Sequence, residues 1–259
     1  MTGTFGASRF ATCHRSNASM ASRFEHRLQH TPNWQNSGAL QRTRRTVQRS
    51  IIALVLLSLA HASPGAEASI SPGTRVLLDT EAGAIEVEVF PDRAPLSACD
   101  FLAYVDAGLY EGAGFYRVVR HDNDRGAPKI EVVQGGLLDE TKQRAPIAHE
   151  TTQMTGLKHV DGALSLARGA VGTGGAGAFF IVIGDQPALD YGAKRNPDGQ
   201  GFAVFGRVIR GMDIVRRIHR LPADAPTSDA YTQGQLLTHP VRFLKAVRQD
   251  PMPAVCKAK

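Results

Sequence analysis

The sequence predicts a mostly β domain, an antiparallel barrel capped by two α-helices. Three observations carry this. Short runs alternate apolar and polar residues at period two, most clearly Ile85, Val87 and Val89 against Glu86 and Glu88. Two stretches, 94–107 and 211–220, instead carry an apolar stripe at helical spacing. Glycine is plentiful, 26 of 259 residues, and much of it falls between the runs, where tight turns use it.

Residues 1–68 read as a targeting leader. They hold eight arginines against Glu25 and Glu67, which accounts for the whole formal charge of +6. The balanced remainder gives no reason to expect a nucleic-acid partner. Arg42, Arg44, Arg45 and Arg49 precede the apolar run Ile51–Ala60. A bilayer span needs about 20 residues, so this run has the length of a signal-peptide core instead. Ala60-His61-Ala62 and Ala66-Glu67-Ala68 follow as small-x-small cleavage patterns. The expectation is a periplasmic or otherwise exported protein that begins near residue 63 or 69. It would keep no stable membrane association after cleavage.

The domain is expected over 69–259. Arg75–Thr80 and Ala84–Phe90 form a hairpin around Glu81-Ala82-Gly83, closed by Pro91. The first helix has Pro95 in its first turn, a stripe of Cys99, Leu102 and Val105 with Phe101 nearby, and Gly108 as its stop. Phe115–Val119 and Ile130–Gln134 are short β-type runs that flank a turn-rich segment. Gly162–Ala167, a Gly-rich loop at 169–177 and the strand Ala178–Gly184 follow. Phe202–Ile209 reads as a strand, then the second helix buries Met212, Val215 and Ile218, and Val241–Val247 is the last strand.

Several chemistries lack an anchor. No Cys/His spacing suits a metal, and no cofactor is expected. Gly172–Gly177 lacks the Lys-Ser/Thr ending of a phosphate loop and precedes a strand-like Phe179-Phe180-Ile181. There is no Gly-x-Ser-x-Gly elbow for a serine hydrolase. Asp185, Asp190 and Asp198 stand beside Pro and Gly and read as solvated loop carboxylates. Cys99 reads as a small buried apolar residue of its helix. Export would permit its pairing with Cys256, and the sequence leaves that open.

The central stretch runs from Gly114-Phe-Tyr-Arg117 to Gln134-Gly-Gly136. With Phe179-Phe180-Ile181 and Val204-Phe205-Gly206 it resembles the cyclophilin family of peptidyl-prolyl isomerases. That family shows a Phe-His-Arg, a Gln-Gly-Gly, a Phe-Phe-Ile and a Val-Phe-Gly in this order. The resemblance covers about 75–247. It implies a closed eight-stranded antiparallel barrel, a monomer, and proline-containing polypeptides as partners.

The resemblance also implies a site. Arg117 falls on the catalytic arginine. Gln134 falls on the glutamine that positions it, and Phe180 on a wall of the proline pocket. Val132, Ala167 and Leu189 fall on substrate-binding positions, with Phe115 and Phe202 beside them. An X–Pro bond rotates slowly because rotation breaks amide resonance, across a barrier of roughly 18–20 kcal/mol. In the twisted state the prolyl nitrogen regains a lone pair. A permanently charged donor aimed at it favours that state over the planar one.

The departures concern the pocket. Glu131, Ala178 and Ala188 replace a family Phe, Gln and Trp, and Phe202 replaces a His. The 17 positions from Arg117 to Gln134 exceed the family spacing, so 120–130 is expected as an inserted loop beside the site. A peptide-binding module with little turnover is the alternative function.

Overall fold

The computed structural model describes residues 72–257. The leader, its apolar run at 51–60 and the expected starts of the mature chain lie outside the described residues. In chain order the elements are β1 (Thr74–Thr80), β2 (Gly83–Val89), α1 (Pro95–Asp106), β3 (Gly114–Val119), β4 (Val132–Gly136), β5 (Ile147–Ala148), α2 (Thr152–Thr155) and β6 (Ala163–Leu166). They continue with β7 (Thr173–Gly174), β8 (Ala178–Val182), β9 (Ala203–Arg210), α3 (Met212–His219), β10 (Leu236–Arg248) and α4 (Ala254–Lys257).

Eight strands close a barrel in the order β1-β10-β3-β4-β8-β6-β9-β2, and their pairings are antiparallel. Closure leaves the barrel itself no edge strand to template aggregation. The short β5 and β7 pair separately. The expected capping helices are α1 and α3. The single turns α2 and α4 are too short to carry a periodic signal.

Period-two alternation gives the barrel wall two apolar faces. Along β8, Phe179 and Ile181 enter the interior core, while Phe180 and Val182 join a second cluster on the other face. Along β4, Val133 enters the interior and Val132 the second cluster. Helix α1 adds Phe101, Leu102 and Val105 to the interior, and α3 adds Val215 and Ile218. Aromatic edges fill much of that interior, as where Phe115 meets Phe243 at 4.8 Å and 77°.

Helix α1 has no side-chain cap from its own first residue. Glu150, buried at 5% exposure, supplies one from afar. Its carboxylate accepts the backbone N–H of Leu96 at 3.0 Å and of Ser97 at 2.7 Å. Orphan donors and the positive helix end thus meet a negative charge. At its middle, α1 is tied to α4 by a Cys99–Cys256 disulfide. The expectation that Cys99 is a plain buried apolar residue is therefore corrected. The two cysteines are 157 positions apart in sequence but only 5.2 Å apart at Cα, a proximity that only the tertiary fold creates.

Two strand boundaries differ from expectation. β4 spans Val132–Gly136 where the expected run was Ile130–Gln134, so it starts later and continues through Gly135 and Gly136. A Cβ on Gly135 would stand 2.7 Å from Phe115 Cδ1, so the ladder accepts only glycine there. β10 begins at Leu236, before Pro240, and its register against β3 shifts between Leu236 and Val241. Proline interrupts a ladder at such irregular places.

Candidate active site

A β-bulge aims the central arginine. Phe115 pairs with Gly135 and Arg117 with Gln134, so two residues of β3 oppose one of β4. The extra residue re-phases the alternation. Phe115 stays inside the barrel at 0% exposure, against Phe179 and Phe243. Its expected place in the substrate pocket is corrected, because it lies on the opposite face of the wall. Arg117 turns to the face that carries the second cluster.

The register then lays a row across the barrel wall. Arg117 on β3 pairs with Gln134 on β4, Gln134 with Phe180 on β8, and Phe180 with Ser165 on β6. Val132, Phe180 and Leu189 meet in the second cluster, with Ala167 and Phe202 packed against it. Phe180 meets Phe202 edge-on at 5.3 Å and 89°. Seven of the eight expected site residues are thus gathered, and only Phe115 is elsewhere.

The half-buried Arg117 is held by two glutamines. Its Nη1 donates to Gln134 Oε1 at 3.0 Å. Its Nε and Nη2 both donate to Gln235 Oε1, at 2.9 and 2.5 Å. Gln134 in turn donates to the Tyr116 hydroxyl at 3.0 Å, and burial holds that phenol above its ordinary value. Gln235 is 0% exposed, and its amide nitrogen donates to Asn123 O at 2.9 Å. A guanidinium has five N–H donors, so three hydrogen bonds fix its plane and leave two for a ligand. The Tyr231 ring lies 5.2 Å from the guanidinium carbon.

Gln235 and Tyr231 escape a reading of the sequence. They precede a strand whose start is hidden by Pro240, and their partner lies far upstream. The apolar Leu236-Leu237 after Gln235 is the signal that could have moved that boundary.

His159 stacks on Phe180 at 6.1 Å and 13°. Its Nδ1 meets Asp190 Oδ1 at 2.8 Å and its Nε2 meets Ser165 Oγ at 3.0 Å. A neutral imidazole with its proton on Nδ1 satisfies both contacts. Burial holds His159 below the ordinary imidazole value, against the pull of Asp190. Asp190 is 9% exposed, so the expectation of a solvated loop carboxylate is corrected. Burial alone would raise its pKa, but hydrogen bonds from His159 and Lys158 outweigh that and hold it below the ordinary value. At the other rim, Arg168 lies over Phe202 at 5.5 Å and is anchored on Asp198 at 2.7 Å. Among the described residues, no cluster of His, Cys, Asp and Glu could hold a metal ion.

This arrangement sets one fixed cation with two spare donors on the face that carries the apolar Val132, Phe180 and Leu189 cluster. A guanidinium held in this way, with N–H groups left over, can stabilise charge that develops on an atom brought against it.

Comparison with known proteins agrees with that chemistry. Residues 75–238 match the family model described as cyclophilin type peptidyl-prolyl cis-trans isomerase/CLD. The chain is 34% identical over 183 residues to peptidyl-prolyl cis-trans isomerase A of Dickeya dadantii, a match covering 69% of this chain and 88% of that protein. It is 32% identical over 146 residues to peptidyl-prolyl cis-trans isomerase B of Escherichia coli, covering 55% of this chain and 82% of that one. A solved cyclophilin type isomerase from Cryptosporidium parvum shares the fold, with a TM-score of 0.51 at 20% identity, over 70% of this chain and 99% of that chain. The same protein has been solved in the presence of the dipeptide Ala-Pro. With a family model spanning most of the described barrel, the chain belongs to the cyclophilin-type peptidyl-prolyl cis-trans isomerases.

Proposed function

We propose that the protein speeds cis–trans rotation about X–Pro bonds in exported polypeptides, with Arg117 as the catalytic residue. The observation that carries this is the hydrogen bonding of Arg117: three donors held by Gln134 and Gln235, two left over, beside the Phe180 cluster. Val132, Phe180, Leu189 and Phe202 hold the proline ring. Ala167 lies along the path of the peptide backbone. A donor of Arg117 meets the prolyl nitrogen as it becomes pyramidal, an interaction absent in the planar ground state. Holding the guanidinium beforehand means that little reorganises at the moment of rotation. The reaction needs neither metal nor nucleotide.

The Arg-rich flank, the apolar run and the two small-x-small patterns support export. The Cys99–Cys256 disulfide supports it too, because such bonds persist in oxidising compartments. The protein acts as a monomer on proline-containing chains.

The test is refolding of a proline-limited substrate by residues 69–259. Acceleration in the presence of a chelator is the expected result. A rate equal to the uncatalysed one leaves the peptide-binding alternative. N-terminal sequencing of the periplasmic fraction should find a start near residue 63 or 69, and a full-length cytosolic chain would sink the export reading.

A further inference from the structure

The 120–130 segment is held by a buried ion pair. Arg195 grips Asp124 through Nη1 and Nη2, both at 2.8 Å, with side chains 4% and 0% exposed. Asp124 also accepts the backbone N–H of Gly126 and of Ile130. Burying two charges seldom adds net stability, because desolvation offsets their attraction. Such a pair is better explained by the geometry that it fixes.

What it fixes is Tyr231. Arg195 Nη2 donates to the Tyr231 hydroxyl at 3.1 Å, and the Tyr231 backbone N–H is held by Asp229 at 2.9 Å. The ring lies against the Arg117 guanidinium, yet the residue is 47% exposed. An aromatic ring anchored at both ends loses little entropy on meeting a ligand. Here it is open to solvent directly beside the cation that meets the proline.

We propose that Tyr231 forms a subsite beside Arg117 for an apolar or aromatic side chain flanking the proline of the bound polypeptide. This rests on the reading of Arg117 as the catalytic residue. The ring offers a flat apolar face. The neighbouring Arg117 and Arg195 disfavour a cationic side chain there. The Asp124–Arg195 pair gives the long 120–130 segment its purpose, as the support on which this ring is mounted.

The experiment uses residues 69–259 and a set of short peptides in which Ala, Leu, Phe or Lys flanks the proline, on either side in turn. NMR titration reads Kd, and NMR exchange reads kcat and KM. The wild-type protein should bind the Phe or Leu peptide about three- to ten-fold more tightly than the Ala peptide at one flank, and the Lys peptide least. Tyr231→Ala should bring that ratio near one, chiefly through KM. Tyr231→Phe should keep it. A ratio unchanged in Tyr231→Ala, or lost equally in Tyr231→Phe, overturns the subsite. Arg117→Ala tests the catalytic reading separately. It should lose turnover on every peptide alike and keep the flank preference in Kd, so either claim can fail without the other.

Discussion

Arg117 and Gln235 stand 118 positions apart in the chain and meet through a single oxygen, Gln235 Oε1, which accepts two of the arginine's N–H groups. Gln235 immediately precedes β10 and Arg117 lies on its neighbour β3, and the barrel order makes them adjacent. The guanidinium plane is thus set by a buried side chain that a ligand need not touch. This relationship governs the first two expectations.

Arg117→Ala should lower kcat/KM by about 10²–10³, the usual loss when one transition-state donor is removed. Peptide affinity and the circular dichroism spectrum should stay close to wild type. Arg117→Lys should not rescue turnover, because an ammonium cannot meet both glutamines and a substrate with a planar fork. Wild-type turnover in Arg117→Ala would remove the assignment.

Gln235→Leu should act on the same step while leaving every substrate contact in place. The guanidinium would keep Gln134 but lose the acceptor of two donors. A fall in kcat of about ten-fold, with KM little changed, corresponds to roughly 1.5 kcal/mol, the scale on which a hydrogen bond to a charged group counts. Unchanged kcat would mean that Gln134 alone sets the plane.

Cys256→Ser should destabilise the barrel without touching its chemistry. The bridge closes 157 positions of chain, and in the loop-entropy account removing it costs about 2–5 kcal/mol. Urea unfolding should show a lower midpoint at unchanged kcat/KM. Equal midpoints for oxidised and reduced wild-type protein would contradict this.

Acid should weaken the fold in two steps. Burial lowers the pKa of His149, His159 and His219 below 6.5. The unfolded chain then takes up protons that the native one refuses, so stability is full above 6.5 and falls as pH drops towards the depressed values. Asp124 and Asp190 are lowered below 3.8, Arg195 outweighing burial at the first and His159 at the second. Their stabilisation is present above 3.8 and is lost as pH falls through the native values. Thermal midpoints from pH 8 to 3 should be flat, then decline below about 6.5, then decline again in the carboxylate range. A midpoint that rises between pH 7 and 5 would refute the histidine contribution.

Much of this was legible in the chain itself. Alternation in Ile85–Val89 fixes which face of a strand is buried, and that local rule holds whatever the strand pairs with. The order of Phe-Tyr-Arg, Gln-Gly-Gly and Phe-Phe-Ile marked Arg117, Gln134 and Phe180 through their resemblance to the cyclophilin motifs. The pairing across strands was not legible. Phe115 and Arg117 are two apart and would share a face, until a bulge against β4 separates them. Gln235, Tyr231 and the Asp190–His159 contact depend on which strands and loops closure brings together, as does the Cys99–Cys256 bridge. Local pattern sets side-chain direction and turn position. Which distant polar groups satisfy one another is decided by burial, since only a folded wall removes them from water and obliges them to pair.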